Sequence, residues 1–200
     1  MPIINENNLE LIVTALSGGE VVAMPADTVF GFYALYDQIG AFNNLNSLKR
    51  RKPDTPYGII VNHLDDIKEL AVVNDQTMKF LNKFITGPLT VILKSKDSVP
   101  PHVTLNTGKI GIRLANTPLL KNILEIIKKP LLQTSANISG EKPIVTTDDL
   151  SKIFGKNLLI VEGSPKLGQA SAIIDMSEGF KLIRHGVVDF NVYKTYWENL

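Results

Sequence analysis

Short apolar runs, each stopped by glycine, proline or a polar turn, alternate irregularly with longer amphipathic segments along this chain, and some runs follow one another with no helix between. Spacing near 3.6 residues reads as helix, and short continuous or alternating apolar runs read as strand. Leu9, Ile12, Val13 and Leu16 place a helix over 5–16, ended by Gly18-Gly19. Further helices are expected at 39–48, 65–70, 75–84, 119–127 and 147–154, the last capped by Thr146 or Thr147. Strands are expected at 20–24, 29–35, 57–61, 89–93, 110–114, from Leu131 onward, and at 158–161, 172–174 and 180–183. That order predicts a mixed α/β (α+β) fold: a twisted, open, mostly antiparallel or mixed sheet flanked by helices, not a βαβ repeat. With no internal repeat and no linker, 200 residues form a single domain, 1–200.

Composition narrows the function classes only a little. An apolar fraction of 44% and a net charge of +1 neither require nor exclude a nucleic-acid partner, because clustering of charge decides that. The absence of cysteine removes disulfides and thiolate metal sites and agrees with a reducing compartment. The first ten residues lack the basic and apolar stretches of a secretory signal. No apolar run approaches the roughly 18 residues of a membrane helix, so a cytoplasmic location is expected. His63, His102 and His185 lack metal-ligand spacing and read as surface or loop residues, so no metal site is expected.

Five segments carry polar chemistry. After Pro130-Leu131-Leu132, the stretch Ser135-Ala136-Asn137-Ile138-Ser139-Gly140 delivers hydroxyl and amide groups to the carboxyl end of a buried strand. Ligands bind at that edge in open α/β sheets, although such residues also make plain polar turns. Pro25-Ala26-Asp27-Thr28-Val29-Phe30-Gly31 sets a carboxylate and a hydroxyl between two strands, where an Asx-type hairpin turn is the simpler account. Lys49-Arg50-Arg51-Lys52 closes a helix before Pro53-Asp54-Thr55-Pro56. Four cations exceed what a helix dipole needs and suit an anion such as phosphate or carboxylate. Arg113 ends an apolar strand with no carboxylate nearby in sequence, which favours a ligand as its partner. Finally, the segment from Gly163 to Ser171 has Gln169 where a Walker loop needs lysine, and a strand follows it. A mobile, glycine-bounded lid is the better expectation.

Taken in order, Pro-Ala-Asp-Thr-Val-Phe-Gly at 25–31, Lys49-x-Arg51, Gly87-Pro88-Leu89-Thr90-Val91, Arg113, Ser-Ala-Asn-x-Ser-Gly at 135–140, Ser171-Ala-Ile-Ile-Asp175 and Arg184-x-Gly186 closely resemble the YrdC-like family, the threonylcarbamoyl-AMP synthases. The resemblance runs from about Leu9 to Gly186 and matches the short form, without the extra C-terminal domain of longer relatives. It implies a YrdC-like fold with a concave basic groove. It also implies a nucleotidyltransferase that makes threonylcarbamoyl-AMP and pyrophosphate from ATP, L-threonine and bicarbonate, with Mg2+. Downstream threonylcarbamoyl-transfer proteins then modify the tRNA adenosine beside the anticodon, and binding of tRNA or double-stranded RNA is a further implication. By position, Lys49 and Arg51 match the catalytic Lys-x-Arg, which also contacts ATP. Thr28, Arg113 and Ser171 match threonine contacts, while Lys109, Ser135, Asn137 and Arg184 match the nucleotide side.

The chain departs from the family pattern at Ala26 and Ala172, where the family usually has threonine, at Lys52 before Pro53, and at Ala115 in place of a proline. The two missing hydroxyls leave open a paralogue with an altered substrate. The basic groove leaves open a non-catalytic RNA-binding module.

Overall fold

The computed structural model describes residues 3–51, 56–155 and 158–200; Lys52 and the Pro53-Asp54-Thr55 part of the expected proline loop lie outside them. In chain order the elements are β1 (Ile3–Ile4), α1 (Leu9–Ser17), β2 (Val22–Pro25), β3 (Phe30–Leu35), α2 (Ile39–Lys49), β4 (Gly58–Val61), α3 (Leu64–Leu70), α4 (Asp75–Phe84), β5 (Leu89–Lys94), α5 (Pro101–Thr104), β6 (Lys109–Leu114), α6 (Pro118–Ile127), β7 (Leu131–Ser135), α7 (Thr147–Phe154), β8 (Leu159–Val161), β9 (Ala172–Asp175), β10 (Lys181–Arg184) and α8 (Phe190–Glu198). The strands form one sheet in the order β1-β8-β2-β3-β7-β4-β6-β5-β9-β10. Pairs β1–β8, β2–β8, β4–β6 and β5–β9 are parallel, and the others are antiparallel, which makes the sheet mixed as expected.

Three elements go beyond the expected set. The two residues of β1 pair with Ile160 and Val161, so no local pattern announces them. Helix α5 starts on Pro101, a residue suited to a first helical turn, within what reads as a proline-broken loop. It corrects the reading of His102 as a surface or loop residue. The ring is half-buried edge-on to Phe42 at 5.5 Å, and Nε2 lies 2.9 Å from the Tyr36 carbonyl. Helix α8 buries Tyr193 against Phe80 and Phe84 and stacks Trp197 on Phe180 at 5.0 Å.

Cross-strand partners share a face because side chains alternate along a strand. On one face Ala23 and Phe32, together with the row Ala34, Leu132, Ile59, Ile112, Val91 and Ile174, are buried beneath residues of α2, α3, α4, α7 and α8. On the other face Val22, Met24, Tyr33, Leu35, Leu131 and Ile60 are covered by α1 and α6. That cover reaches only half the sheet. Beyond it, the same face presents Gly58, Gly111, Gln133, Ser135, Thr90 and Arg113. No helix of the described residues is long and apolar enough to cross a membrane.

Candidate active site

The open half-face has a floor of bare backbone. Gly58 and Gly111 are register partners in the parallel β4–β6 pair, so no side chain fills the space between Thr90 and Gln133. A cavity of about 170 Å3 lies there, bounded by Thr28, Arg51, Tyr57, Thr90, Arg113, Gln133, Ser135, Ser171 and Arg184 among others. A larger hollow of about 390 Å3, lined by Tyr36, His63 and Glu125 among others, brings no comparable set of arginines and hydroxyls together.

Arg113 is 4% exposed, and its carboxylate partner comes from far away in sequence. Its Nη2 donates to Asp27 Oδ1 and Oδ2 at 2.9 and 3.1 Å, and Nη1 donates to Thr28 Oγ1 at 3.3 Å. Asn116 adds a donor to the same carboxylate at 2.7 Å. The β2–β3 turn therefore supplies both the acid and the hydroxyl foreseen at 25–31. Two buried polar atoms beside this cluster, Arg113 Nε and Tyr33 Oη, have no hydrogen-bond partner among the described residues.

Across the cavity, Ser171 Oγ and Thr90 Oγ1 lie 2.9 Å apart. Arg184 donates Nε and Nη2 to the Ser171 carbonyl at 3.1 and 2.9 Å and approaches its hydroxyl at 3.3 Å. Burial, then the nearby Arg113 charge, draws the Arg184 pKa below its ordinary value. The expected lid, Gly163 to Ser171, runs beside the cavity. Leu167 N–H donates to the Asp27 carbonyl at 2.9 Å, Thr147 Oγ1 donates to the Gly163 carbonyl, and Ala170 reaches the cavity.

The basic run 49–51 is split three ways by the end of α2. Arg50 takes the left-handed conformation (φ 50°, ψ 39°), and the Arg50 and Arg51 amides return to the Ser47 and Asn46 carbonyls, the pattern of a Schellman motif. Lys49 turns inward and is 2% exposed, whereas Arg51 turns into the cavity. Lys49 Nζ donates to the Ser135 carbonyl, the Asn137 carbonyl and Asn137 Oδ1 at 2.7, 3.0 and 2.8 Å. Ser135 Oγ also donates to Asn137 Oδ1, and the Asn137 amide reaches back to the Ile138 and Glu141 carbonyls. Burial, then the Arg51 charge, pulls the Lys49 pKa down to about 7, while the three oxygens favour its ammonium. Lys49 and Asn137 thus stand behind the cavity wall and hold Ser135 in it.

Lys109 is not brought to the cavity. It begins β6, four residues or about 13 Å from Arg113 along the strand, and its ammonium pairs with Asp175 and Glu178 at 3.5 and 3.6 Å. Conversely, Thr90, Gln133 and Tyr57 line the site although the sequence reading gave none of them a role, Thr90 being named only within the 87–91 motif. Their signal is slight: Thr90 is a lone hydroxyl among the apolar residues of β5, and Gln133 opens the polar end of β7. Of the family departures, Ala172 is 1% exposed and partners Leu89 on the helix-covered face, and Ala26 is also buried. A hydroxyl at 172 would point into the core, away from the cavity.

The Sua5/YciO/YrdC family model, whose description reads "Telomere recombination", matches residues 14–186. The chain belongs to this family. A Methanocaldococcus jannaschii relative is 34% identical over 183 residues, covering 90% of this chain and 86% of its own length. The threonylcarbamoyl-AMP synthase of Wigglesworthia glossinidia brevipalpis is 31% identical over 184 residues, covering 90% of this chain and 94% of its own. Among solved structures, P. abyssi Sua5 complexed with L-threonine superposes with a TM-score of 0.91 at 24% identity and shares the fold. That match takes in 98% of this chain and 61% of the Sua5 chain.

Proposed function

We propose that this family member is itself a threonylcarbamoyl-AMP synthase, a nucleotidyltransferase acting on ATP, L-threonine and bicarbonate. The supporting observation is convergence: Arg51, Arg113 and Arg184 meet Thr28, Ser135 and Ser171 around one glycine-floored cavity. Curated relatives carry that activity in their names. The enclosed volume, about 170 Å3, is below the roughly 300–1,000 Å3 of pockets for larger ligands. It suits an amino acid, with the nucleotide lying across the open side.

In this reading Arg113, held by Asp27, receives the amino-acid carboxylate, and Thr28 and Ser171 take its polar side-chain and amine groups. The free amine nitrogen bonds to the carbon of bicarbonate as its C–OH bond breaks; the departing hydroxide takes a proton from the amine and leaves as water, and a carbamate remains. A carbamate oxygen then forms a bond to the α-phosphorus of ATP as the bond to the bridging oxygen breaks, and pyrophosphate leaves with that electron pair. No covalent enzyme intermediate is required, so the site acts by orientation and charge neutralisation. Arg51 and Arg184 balance the charge on the triphosphate and the departing pyrophosphate, with Ser135 beside them. Lys49 and Asn137 act through Ser135, and Lys109 takes no part.

Among the described residues no three His, Asp or Glu side chains converge as a metal cage. Mg2+ therefore belongs to the reaction as the counter-ion of the triphosphate, whose own oxygens and water would hold it, and no step is assigned to it. The product would serve other proteins that modify tRNA adenosine, and a cytoplasmic location accords with that proposal.

The test is to incubate the protein with ATP, L-threonine, bicarbonate and Mg2+ and to follow pyrophosphate and the product mass. Product that depends on both threonine and bicarbonate supports the reading. ATP binding without product, or product only with another amino acid, overturns it.

A further inference from the structure

The mouth of the cavity contains an aromatic residue that the proposed chemistry does not use. Tyr57 immediately precedes β4, is 2% exposed, and its ring lies beneath Arg51, whose Cζ is 4.5 Å from the ring centroid. Its hydroxyl donates to Asn46 Oδ1 at 2.7 Å, and its ring meets Phe42 edge-on at 5.6 Å. Asn46 and Phe42 both belong to α2, the helix that delivers Arg51. Asn46 makes both connections, because its backbone carbonyl accepts the Arg51 amide at 3.0 Å while its side chain accepts the Tyr57 hydroxyl. Arg51 Nη2 also donates to the carbonyl of Pro56, the residue before Tyr57, at 3.1 Å.

A guanidinium over an aromatic face is held by the ring quadrupole, and that contact uses none of its in-plane N–H groups. A long arginine side chain otherwise loses rotamer freedom when it meets a phosphate. A ring tied to the same helix end as the arginine removes that freedom beforehand, which is preorganisation in the usual sense.

We infer that Tyr57 is a positioning residue for the nucleotide side of the site: clamped to α2 through Asn46 and Phe42, it fixes the plane of the Arg51 guanidinium toward an incoming triphosphate. This rests on the reading that Arg51 contacts ATP. Tyr57 acts through Arg51, so it governs nucleotide affinity and leaves the amino-acid subsite at Arg113 and Ser171 unchanged.

Two variants and two ligands test it. Calorimetry with ATP alone and steady-state turnover with ATP and L-threonine varied separately are measured for wild type, Tyr57→Leu and Tyr57→Phe. Tyr57→Leu removes the ring, and both the dissociation constant and KM for ATP are expected to rise about tenfold, with KM for threonine held within about twofold. Tyr57→Phe keeps the stack, loses only the bond to Asn46, and is expected to recover most of the ATP affinity. Unchanged ATP affinity in Tyr57→Leu, equal losses for ATP and threonine, or a Phe variant as impaired as the Leu variant would each overturn the inference while leaving the synthase reading intact. A wild type that binds no ATP would remove the synthase reading itself, and this inference with it.

Discussion

Lys49→Met is the most informative single change, because it keeps the side-chain length and removes the ammonium. Three bonds to oxygen are lost, those to the Ser135 carbonyl, the Asn137 carbonyl and Asn137 Oδ1. Asn137 Oδ1 keeps another donor, Ser135 Oγ at 2.8 Å. Bonds from a charged group contribute about 1.5–3 kcal/mol each, and removing a buried ammonium returns several kcal/mol of desolvation. The difference leaves the variant about 2–4 kcal/mol less stable, read by urea unfolding at neutral pH. The pH dependence is sharper still. Lys49 titrates near 7 in the folded protein and near its ordinary value of about 10.4 when unfolded. Between those values the unfolded chain holds a proton that the folded chain has released, so wild-type stability rises with pH. Below about 7 both states are protonated and this contribution is flat. The gap between wild type and Lys49→Met is therefore constant at low pH. It widens above neutrality by at most about 1.4 kcal/mol per pH unit. Unfolding curves from pH 6 to 9 check this. A gap that stays flat throughout refutes the lowered pKa, and a variant as stable as wild type refutes the anchoring role.

Two further outcomes test the carboxylate behind Arg113 and one of the departures from the family pattern. Asp27→Asn leaves the Arg113 guanidinium, 4% exposed, without its carboxylate. It is expected to lower stability by about 3 kcal/mol and to raise KM for threonine; unchanged thermal unfolding would show that Arg113 is compensated elsewhere. Ala172→Thr restores the residue usual in the family, yet its side chain meets the core beside Leu89. It should cost about 1–3 kcal/mol of stability by overpacking and leave KM for threonine unchanged. A lower KM would place position 172 in the site.

Much of the fold is legible because its signals are local. The helices at 75–84 and 147–154 are found where spacing puts them; Thr146, one of the two expected caps, accepts the Asp149 amide, and Asn74 caps the other helix. The strand cores are marked by apolar residues alone. What escapes depends on distant partners. β1 exists through Ile160 and Val161, and α8 is defined by the aromatic ring contacts of Phe80, Phe84 and Phe180.

The site shows the same division, for a reason built into the sheet. A parallel α/β sheet would gather its ligand groups at strand carboxyl ends, and Ser135 at the end of β7 obeys that expectation. Here antiparallel neighbours add amino-terminal ends to the cavity: Thr28, before β3, and Tyr57, before β4, lie on the Ser135 side, while Thr90, second in β5, and Ser171, before β9, lie on the side of Arg113 near the carboxyl end of β6. A rule that looks only at strand exits finds half of such a cavity. The pairing of Arg113 with Asp27 follows directly, since β6 reaches the β2–β3 turn only through the order β3-β7-β4-β6. The run 49–51 escapes for a different reason, because one left-handed residue decides which cation is buried and which meets the ligand. Arginine carries no sequence mark of that conformation, as glycine would. Spacing could therefore name the Lys-x-Arg pair, but only the turn at Arg50 separates Lys49, which holds the wall, from Arg51, which faces the triphosphate.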